Sequence, residues 1–259
     1  MRITILGCGA AGGVPMIGGQ WGACDPENPR NRRRRASILV EDGETAILVD
    51  TSPDLRQQLL DADVSRLDGV IYTHGHADHV HGIDELRALN RLQRQWIDLY
   101  ADAGTLNGLR KRFGYVFEPE RKVQDEFAFY KPCLTPHEIA PGGVFTVGAL
   151  KIEPFDQDHG FTRTLGFRFA DAAYTTDAVD LPNAAFAALT GVKLWIVGCL
   201  RYEPHPTHAH LDRVLEWIAR VKPERAVLTH LGFHMDYEEL AARLPEGVEP
   251  AHDGLILEV

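Results

Sequence analysis

Cysteine is scarce in this chain: 259 residues carry four, Cys8, Cys24, Cys133 and Cys199, too far apart to form a CxxC pair. That spacing argues against a disulfide framework, and reduced, buried thiols in a cytoplasmic protein are the expected account. Long apolar runs are also missing, none approaching the roughly 18 residues of a membrane span. The opening Met1-Arg2-Ile3-Thr4-Ile5-Leu6 enters strand-like sequence at once, without a signal-peptide pattern. Positive charge is in deficit, with 27 Lys and Arg against 37 Asp and Glu, a net charge of −10. Tight non-specific binding of nucleic acid rests on neutralising phosphates, so nucleic acid is not an expected partner. The basic stretch from Arg30 to Arg35 reads first as structure or a solvated face. A bidentate contact to a substrate phosphate stays open for one of its arginines. No Ser/Gly-rich linker or short repeat divides the chain, which therefore reads as one domain over 1–259.

What the chain does have is His74-Gly75-His76-Ala77-Asp78-His79, four metal-ligand side chains in six residues. The cluster follows Gly69-Val70-Ile71-Tyr72-Thr73, an apolar run that reads as a buried strand. His74 and His76 are two apart, so an extended backbone points them the same way. Asp78 and His79 come after the chain has begun to turn and aim at a second point, which suggests two ions side by side. His159 ends the alternating segment 150–155 and its polar continuation. Asp177 follows the run 172–176, and His230 follows Ala226-Val227-Leu228-Thr229. Four strand ends delivering ligands to one place is the geometry of a site at the edge of stacked sheets. Imidazole and carboxylate together suit zinc or manganese, with iron also in range.

Further strands are expected at Arg2–Leu6, Ser37–Val40, Ala46–Val49, Ile97–Tyr100, Leu194–Val197, Ala226–Leu228 and Leu255–Val259, with short ones between Glu138 and Thr176. Helices are expected near 53–60, 83–92, 105–113, 183–189, 208–220 and 237–244. That pattern alone says mixed α and β. Gly7-x-Gly9-x-x-Gly12 after a strand matches a dinucleotide-binding fingerprint in letters. Gly13, Pro15, Gly18 and Gly19 leave no helix to follow it, so a glycine-rich loop beside the metal site is expected instead.

The cluster, then a lone His, a lone Asp and a late His, resembles the metallo-β-lactamase superfamily, and the pattern spans the whole chain. The resemblance implies an αββα sandwich of two mixed β-sheets flanked by helices. It also implies two divalent metal ions, Zn or Mn. His74, His76 and His159 would hold one, Asp78, His79 and His230 the other, and Asp177 would bridge them. Asp50 resembles a family aspartate that supports the metal loop by hydrogen bonding. Gly7-Cys8-Gly9-Ala10-Ala11-Gly12-Gly13-Val14-Pro15, Arg32-Arg33-Arg34-Arg35-Ala36-Ser37 and Thr207-His208-Ala209-His210-Leu211 narrow the branch. They are similar to the phosphoribosyl cyclic phosphodiesterases of the carbon–phosphorus lyase pathway; a quinone-cofactor biosynthesis family shares the glycine-rich opening more weakly. His208 matches that branch's catalytic histidine by its spacing to Leu211, and His210 is the fallback. There is one departure. The branch has a cysteine cluster that, with a late His, holds a structural zinc. Here only Cys24 remains, and Cys24 with His234 cannot complete the four-ligand closed site. No third, structural zinc is therefore expected, and ion pairs over 25–35 are expected in its place.

The resemblance implies a dinuclear metal-dependent hydrolase, a phosphodiesterase acting on a small cyclic ribose phosphate or nucleotide-like phosphodiester. Two cations about 3.5–4 Å apart can share a hydroxide and clamp a phosphoryl oxygen. Asp78 and His208 are the residues expected to carry catalysis, His208 by donating a proton to the leaving alkoxide or a hydrogen bond to phosphate. His208, His210 and His234 are the expected substrate contacts. The plain alternative for His208 is that it flanks a helix beginning there, with Thr207 as N-cap. His81 reads as a supporting helix residue, and His137, His205 and His252 as surface or loop histidines. Two alternatives stand beside the phosphodiesterase. One is an RNA-processing endonuclease, whose tRNA-gripping arm has no counterpart here. The other is a non-catalytic metal- or metabolite-binding protein of the quinone-cofactor type, which would not need the complete ligand set. A homodimer is only the commonest arrangement among oligomers.

Overall fold

Ile38, Val40, Ile47 and Val49 belong to one buried cluster, while Leu39 and Leu48 between them belong to another. Strands that are apolar on both faces need a packed layer on each side. The computed structural model, which describes residues 1–119 and 129–259 and the backbone of two short strands between, supplies those layers as an αββα sandwich. Its strands are β1 (Arg2–Gly7), β2 (Ser37–Asp42), β3 (Thr45–Val49), β4 (Gly69–Ile71) and β5 (Ile97–Ala101), then β6 (Lys122–Val123), β7 (Glu126–Phe127) and β8 (Leu134–Glu138). They continue with β9 (Phe145–Val147), β10 (Leu150–Asp158), β11 (Arg163–Phe169), β12 (Ala172–Thr175) and β13 (Leu194–Gly198). The last are β14 (Arg225–Thr229), β15 (Val248–Pro250) and β16 (Ile256–Glu258).

Two seven-stranded sheets result, ordered β16-β1-β2-β3-β4-β5-β8 and β15-β14-β13-β12-β11-β10-β9. In each, one side is antiparallel and the other parallel: β3, β4, β5 and β8 run together, as do β12 to β15. The cluster between the sheets joins Ile3, Ile5, Ile47 and Val49 to Ile152, Phe167, Tyr174 and Ile196. Among the described residues seven α-helices accompany the sheets: α1 (Leu55–Asp61), α2 (Ala77–Val80), α3 (Leu86–Gln93), α4 (Ala103–Phe113), α5 (Asn183–Ala188), α6 (Leu211–Val221) and α7 (Tyr237–Arg243). Leucines of α1, α3 and α4 pack with Leu48 and Val70 on the outer face of the first sheet. Phe186, Val214, Trp217 and Leu240 of α5 to α7 pack with Trp195 and Val197 on the outer face of the second. Among the described residues no helix is long and apolar enough to cross a membrane.

Most expected elements are present, with differences that have local causes. Residues 83–92 are not one helix: a 3-10 turn, Ile83–Glu85, precedes α3, and Leu92 is 67% exposed instead of facing the core. α6 begins at Leu211, not at His208; His210 occupies the N-cap, and its side chain makes no capping bond. Thr207 is therefore not a cap. The short strands β8 and β15 and the β6–β7 pair had no sequence signal, being formed by pairing with neighbours. After Gly12 no helix follows before the 3-10 turn Pro29–Asn31, as the rejection of the dinucleotide fingerprint required.

The arginine run is structural, though only partly through ion pairs. Arg34 pairs with Asp61 at 2.6 Å and Arg35 with Asp54 at 2.9 Å. Arg32 lies over the Trp21 ring at 4.9 Å. Arg33 is buried, and its guanidinium donates to the carbonyls of Gly232 (3.2 Å) and Met235 (2.7 Å) and to Asn31 Oδ1 (3.2 Å). Cys24 Sγ lies 3.8 Å from the same guanidinium and 3.5 Å from the carbonyls of Phe233 and Met235. A cation thus sits beside the remaining cysteine, and it is held by carbonyls where carboxylates were expected. Gly22, at φ +61°, lets this loop press on residue 233; a Cβ there would lie 2.3 Å from Phe233 O.

Arg33→Ala removes the charged donor from two buried carbonyls, leaving Gly232 O with Met235 N and Met235 O with the weak Cys24 thiol, and should cost about 2–3 kcal/mol. For a chain of this size that is a fall in Tm of roughly 4–12 °C. Thermal melting followed by circular dichroism checks it, and an unchanged Tm would remove Arg33 from the stabilising role.

Candidate metal centre

The centre lies where parallel strands of both sheets end. β4 runs into Tyr72 and Thr73; His76 keeps an extended backbone (φ −70°, ψ 156°) as N-cap of α2, whose first turn carries Asp78 and His79. β12 leads through Thr176 to Asp177, β14 leads directly to His230, and β10 leads directly to His159. Asp50, Asp177 and His230 all have left-handed backbone, φ 64°, 50° and 55°. Asp and His tolerate this region better than branched residues do. In each case the chain turns sharply within a residue or two of the strand end.

Two groups of potential ligands result. One is His74, His76 and His159; the other is Asp78, His79, Asp177 and His230; ligand atoms within each lie within 4.8 Å of one another. Asp177 faces both. Its Oδ2 is 3.2 Å from His79 Nε2 and 3.3 Å from His230 Nε2, and its Oδ1 is 3.9 Å from His159 Nε2. Asp78 Oδ2 is 3.3 Å from His79 Nε2 and 3.6 Å from His230 Nε2. All but His76 and Asp78 are buried.

The residues present fit a metal centre. His74 Nε2, His79 Nε2 and both ring nitrogens of His230 are buried with no hydrogen-bond partner. Buried polar atoms in folded proteins nearly always have a partner. Here these four nitrogens lie among converging imidazole and carboxylate groups without an aligned hydrogen bond, as donors to divalent ions do. Their partners are also oriented from behind. Asp50 accepts from Thr73 N (2.8 Å) and Thr73 Oγ1 (2.8 Å) and lies 2.7 Å from His79 Nδ1, and Thr73 Oγ1 is 3.0 Å from His74 Nδ1. His159 Nδ1 donates to Thr207 O at 2.7 Å, and Thr176 Oγ1 donates to Asp177 Oδ2 at 2.7 Å. Carboxylate and carbonyl contacts of this kind fix the tautomer and orientation of ligating histidines.

Burial and mutual charge set the protonation states. Burial would raise Asp177, but His230, His79 and the hydrogen bond from His208 hold it well below the usual carboxylate range. Asp78 is likewise lowered, burial being outweighed by His79 and His230. Burial pushes His74 and His159 down, leaving neutral imidazoles. His79 moves the other way: burial opposes its charge, but Asp177, Asp50 and Asp78 outweigh it. His79 thus holds a proton that an incoming cation must displace.

The other expected residues divide. His208 joins the cluster: Nε2 is 2.9 Å from Asp177 Oδ1, and with His159 and Asp177 it forms a third group of potential ligands. His210 and His234 do not join. His210 is held at the start of α6 by backbone pairing with Arg201 and is not among the residues lining the cavity. His234 is exposed, its ring beside that of Phe233, on a turn that Ala23 N binds through Phe233 O at 2.9 Å. That contact draws the turn toward the Cys24 loop and away from the centre. His81 is the C-cap of α2 and stacks edge-on with Phe113, as a supporting residue should. His205 is more than a loop histidine, with Nδ1 3.2 Å from His208 Nδ1 and from Thr207 Oγ1. Only the neighbouring His208 could have drawn attention to it. The glycine-rich loop pairs with Leu231, next to His230, and its Ala11 lines the cavity. That cavity, about 380 Å³, is also lined by His76, Asp78, His159, Phe161, Asp177 and His208.

With fold and centre in view, the chain belongs to the beta-lactamase superfamily, whose domain model matches residues 45–231. It is similar to a solved structure described as a new diphosphatase from the PhnP family, at 34% identity and TM-score 0.89, covering 99% of this chain and 97% of that one. This is the branch toward which the glycine-rich opening and the segment 207–211 pointed. Zn²⁺-bound PqqB from Methylobacterium extorquens shares the fold at 21% identity and TM-score 0.76, covering 100% of both chains. An octanoyltransferase from Porphyromonas gingivalis is 33% identical over 258 residues, 98% of this chain but 51% of that protein. A ribonuclease Z from Bradyrhizobium is 33% identical over 150 residues, 56% of this chain and 47% of that protein. The chain thus spans about half the length of these curated relatives.

Two outcomes are expected from metal titration against a chromophoric chelator. Because the His79 proton competes with the cation, apparent Zn²⁺ affinity should rise with pH through the neutral range, roughly tenfold per pH unit for one displaced proton. A flat profile would contradict the protonated His79. Asp50→Asn should weaken the affinity about 10- to 100-fold through its loss of hold on Thr73 and His79.

Proposed function

We propose that the protein is a dinuclear metal-dependent phosphodiesterase acting on a small cyclic ribose phosphate or nucleotide-like phosphodiester. The observation that carries this reading is the convergence of two ligand groups on Asp177, with His208 Nε2 on the same carboxylate at 2.9 Å. His74, His76 and His159 would hold one divalent ion, Asp78, His79 and His230 the second, and Asp177 would span both; zinc or manganese suits this donor set. Two such ions supply positive charge for the phosphoryl oxygens and an activated water as nucleophile.

His208 handles the proton on the other side of the reaction. Thr207 Oγ1 lies 2.8 Å from Nδ1 and can accept from it, so that an imidazolium here carries its transferable proton on Nε2, which faces Asp177 and the cavity. From there Nε2 can donate to the leaving alkoxide or hold a phosphate oxygen. His205 and Thr207 restrict rotation of the ring. A second reading, cleavage of a diphosphate linkage, is favoured by the 34% identical diphosphatase. A diphosphate presents the same negatively charged phosphorus centre, so the assay includes both bonds. The net charge of −10 and the complete ligand set favour a small phosphate substrate over RNA or a purely accessory role.

The test is hydrolysis of bis(p-nitrophenyl) phosphate, 2′,3′- and 1,2-cyclic ribose phosphates and a dinucleoside diphosphate by Zn²⁺- and Mn²⁺-loaded protein. Asp78→Ala should abolish turnover with loss of one bound ion, read by elemental analysis. His208→Ala should keep both ions and lower kcat by roughly 10²- to 10⁴-fold. Absence of turnover from protein carrying two ions would refute the reading.

A further inference from the structure

Phe161 is 92% exposed, yet it lines the same cavity as His76, Asp78 and His208. A large apolar ring left in water forgoes the free energy its burial would supply. The turn that carries it is closely tied. Gly160 N donates to Asp158 Oδ1 at 2.8 Å, His159 N to Thr162 O at 3.0 Å, and Phe161 N to His159 O at 3.0 Å. Gly160, at φ +75°, packs so tightly on the segment before His208 that a Cβ there would lie 2.7 Å from Pro206 O. The backbone that carries the ring is thus fixed two residues from a candidate metal ligand, and Phe161 lines a cavity of about 380 Å³. Cavities of this size take small molecules.

We propose that Phe161 is a stacking platform for a flat heterocycle, a nucleobase, on the substrate whose phosphate lies at the metal centre. The inference rests on the phosphodiesterase reading for the phosphate end. It deepens that reading by selecting nucleotide-like substrates over bare cyclic ribose phosphates. Stacking uses the π-face that every base has, so the presence of a base matters more than its identity. Phe161 is a specificity residue here: it contacts the base and takes no part in moving protons.

Equilibrium binding tests this separately from catalysis. Zn²⁺-loaded protein is titrated calorimetrically with adenosine 5′-monophosphate and with ribose 5-phosphate, alongside Phe161→Ala and Phe161→Tyr. The parent protein should bind the nucleotide about tenfold more tightly than the sugar phosphate, the scale of one base–aromatic contact. Phe161→Ala should erase that difference while leaving ribose 5-phosphate binding and metal content unchanged, and Phe161→Tyr should preserve it. Equal affinity of the parent for the two ligands would overturn the proposal, as would equal weakening of both in Phe161→Ala. Hydrolysis of bis(p-nitrophenyl) phosphate reports on the phosphodiesterase reading alone, so either idea can fail while the other stands.

Discussion

Four buried imidazoles, His74, His79, His159 and His230, share one pocket with two buried carboxylates, Asp50 and Asp177. Taking such groups out of water is costly unless each is paired. Here the charges offset one another, and the contacts behind the pocket hold them in place. Asp50 sits beneath the metal loop and reaches both Thr73 and His79, so one buried carboxylate ties β3 to the loop after β4. The protons and unpartnered nitrogens left over are what a pair of cations would replace. The rest of the fold serves to make this concentration of polar groups tolerable.

The fold does so through strand ends. The parallel halves of the two sheets bring Val49, Ile71, Thr175 and Thr229 to a common edge, and the next residues leave the strands at once. Left-handed backbone at Asp50, Asp177 and His230 makes those departures sharp. Each such residue carries a local conformational cost on the order of 1–3 kcal/mol. The apolar layers on both faces of each sheet supply the stability against which that cost is set. A backbone bond from Leu165 N to Thr73 O, 2.9 Å long, joins the second sheet directly to the metal loop.

The side of the centre near His230 depends on a different device. The turn after His230 is held by the buried Arg33 guanidinium and by the loop that carries Cys24. The family resemblance implies a cysteine cluster there. A guanidinium serves a comparable purpose by another route, since a fixed planar cation can satisfy several carbonyls at once. This arrangement also explains why His234 faces solvent.

What could be read in the sequence was whatever depends on local pattern. Short strand-like apolar runs marked β2 and β3, and the apolar run before His74 marked β4; ligands at or just beyond strand ends, His74, His159, Asp177 and His230, followed from those elements. The sandwich itself and the division of ligands between two ions came through family resemblance, because an apolar run shows that a strand is buried without saying what buries it. Tertiary structure alone decided the loops. His208 and His210 are two residues apart with similar surroundings in sequence, yet only His208 meets Asp177, because α6 starts three residues after His208 and takes His210 as its cap. His205 gains its role from folding back on His208, and Arg33 gains its own from carbonyls some 200 residues away. Residues on strands and just past them inherit position from short-range periodicity. Residues on long connections are placed by distant partners that no local pattern encodes.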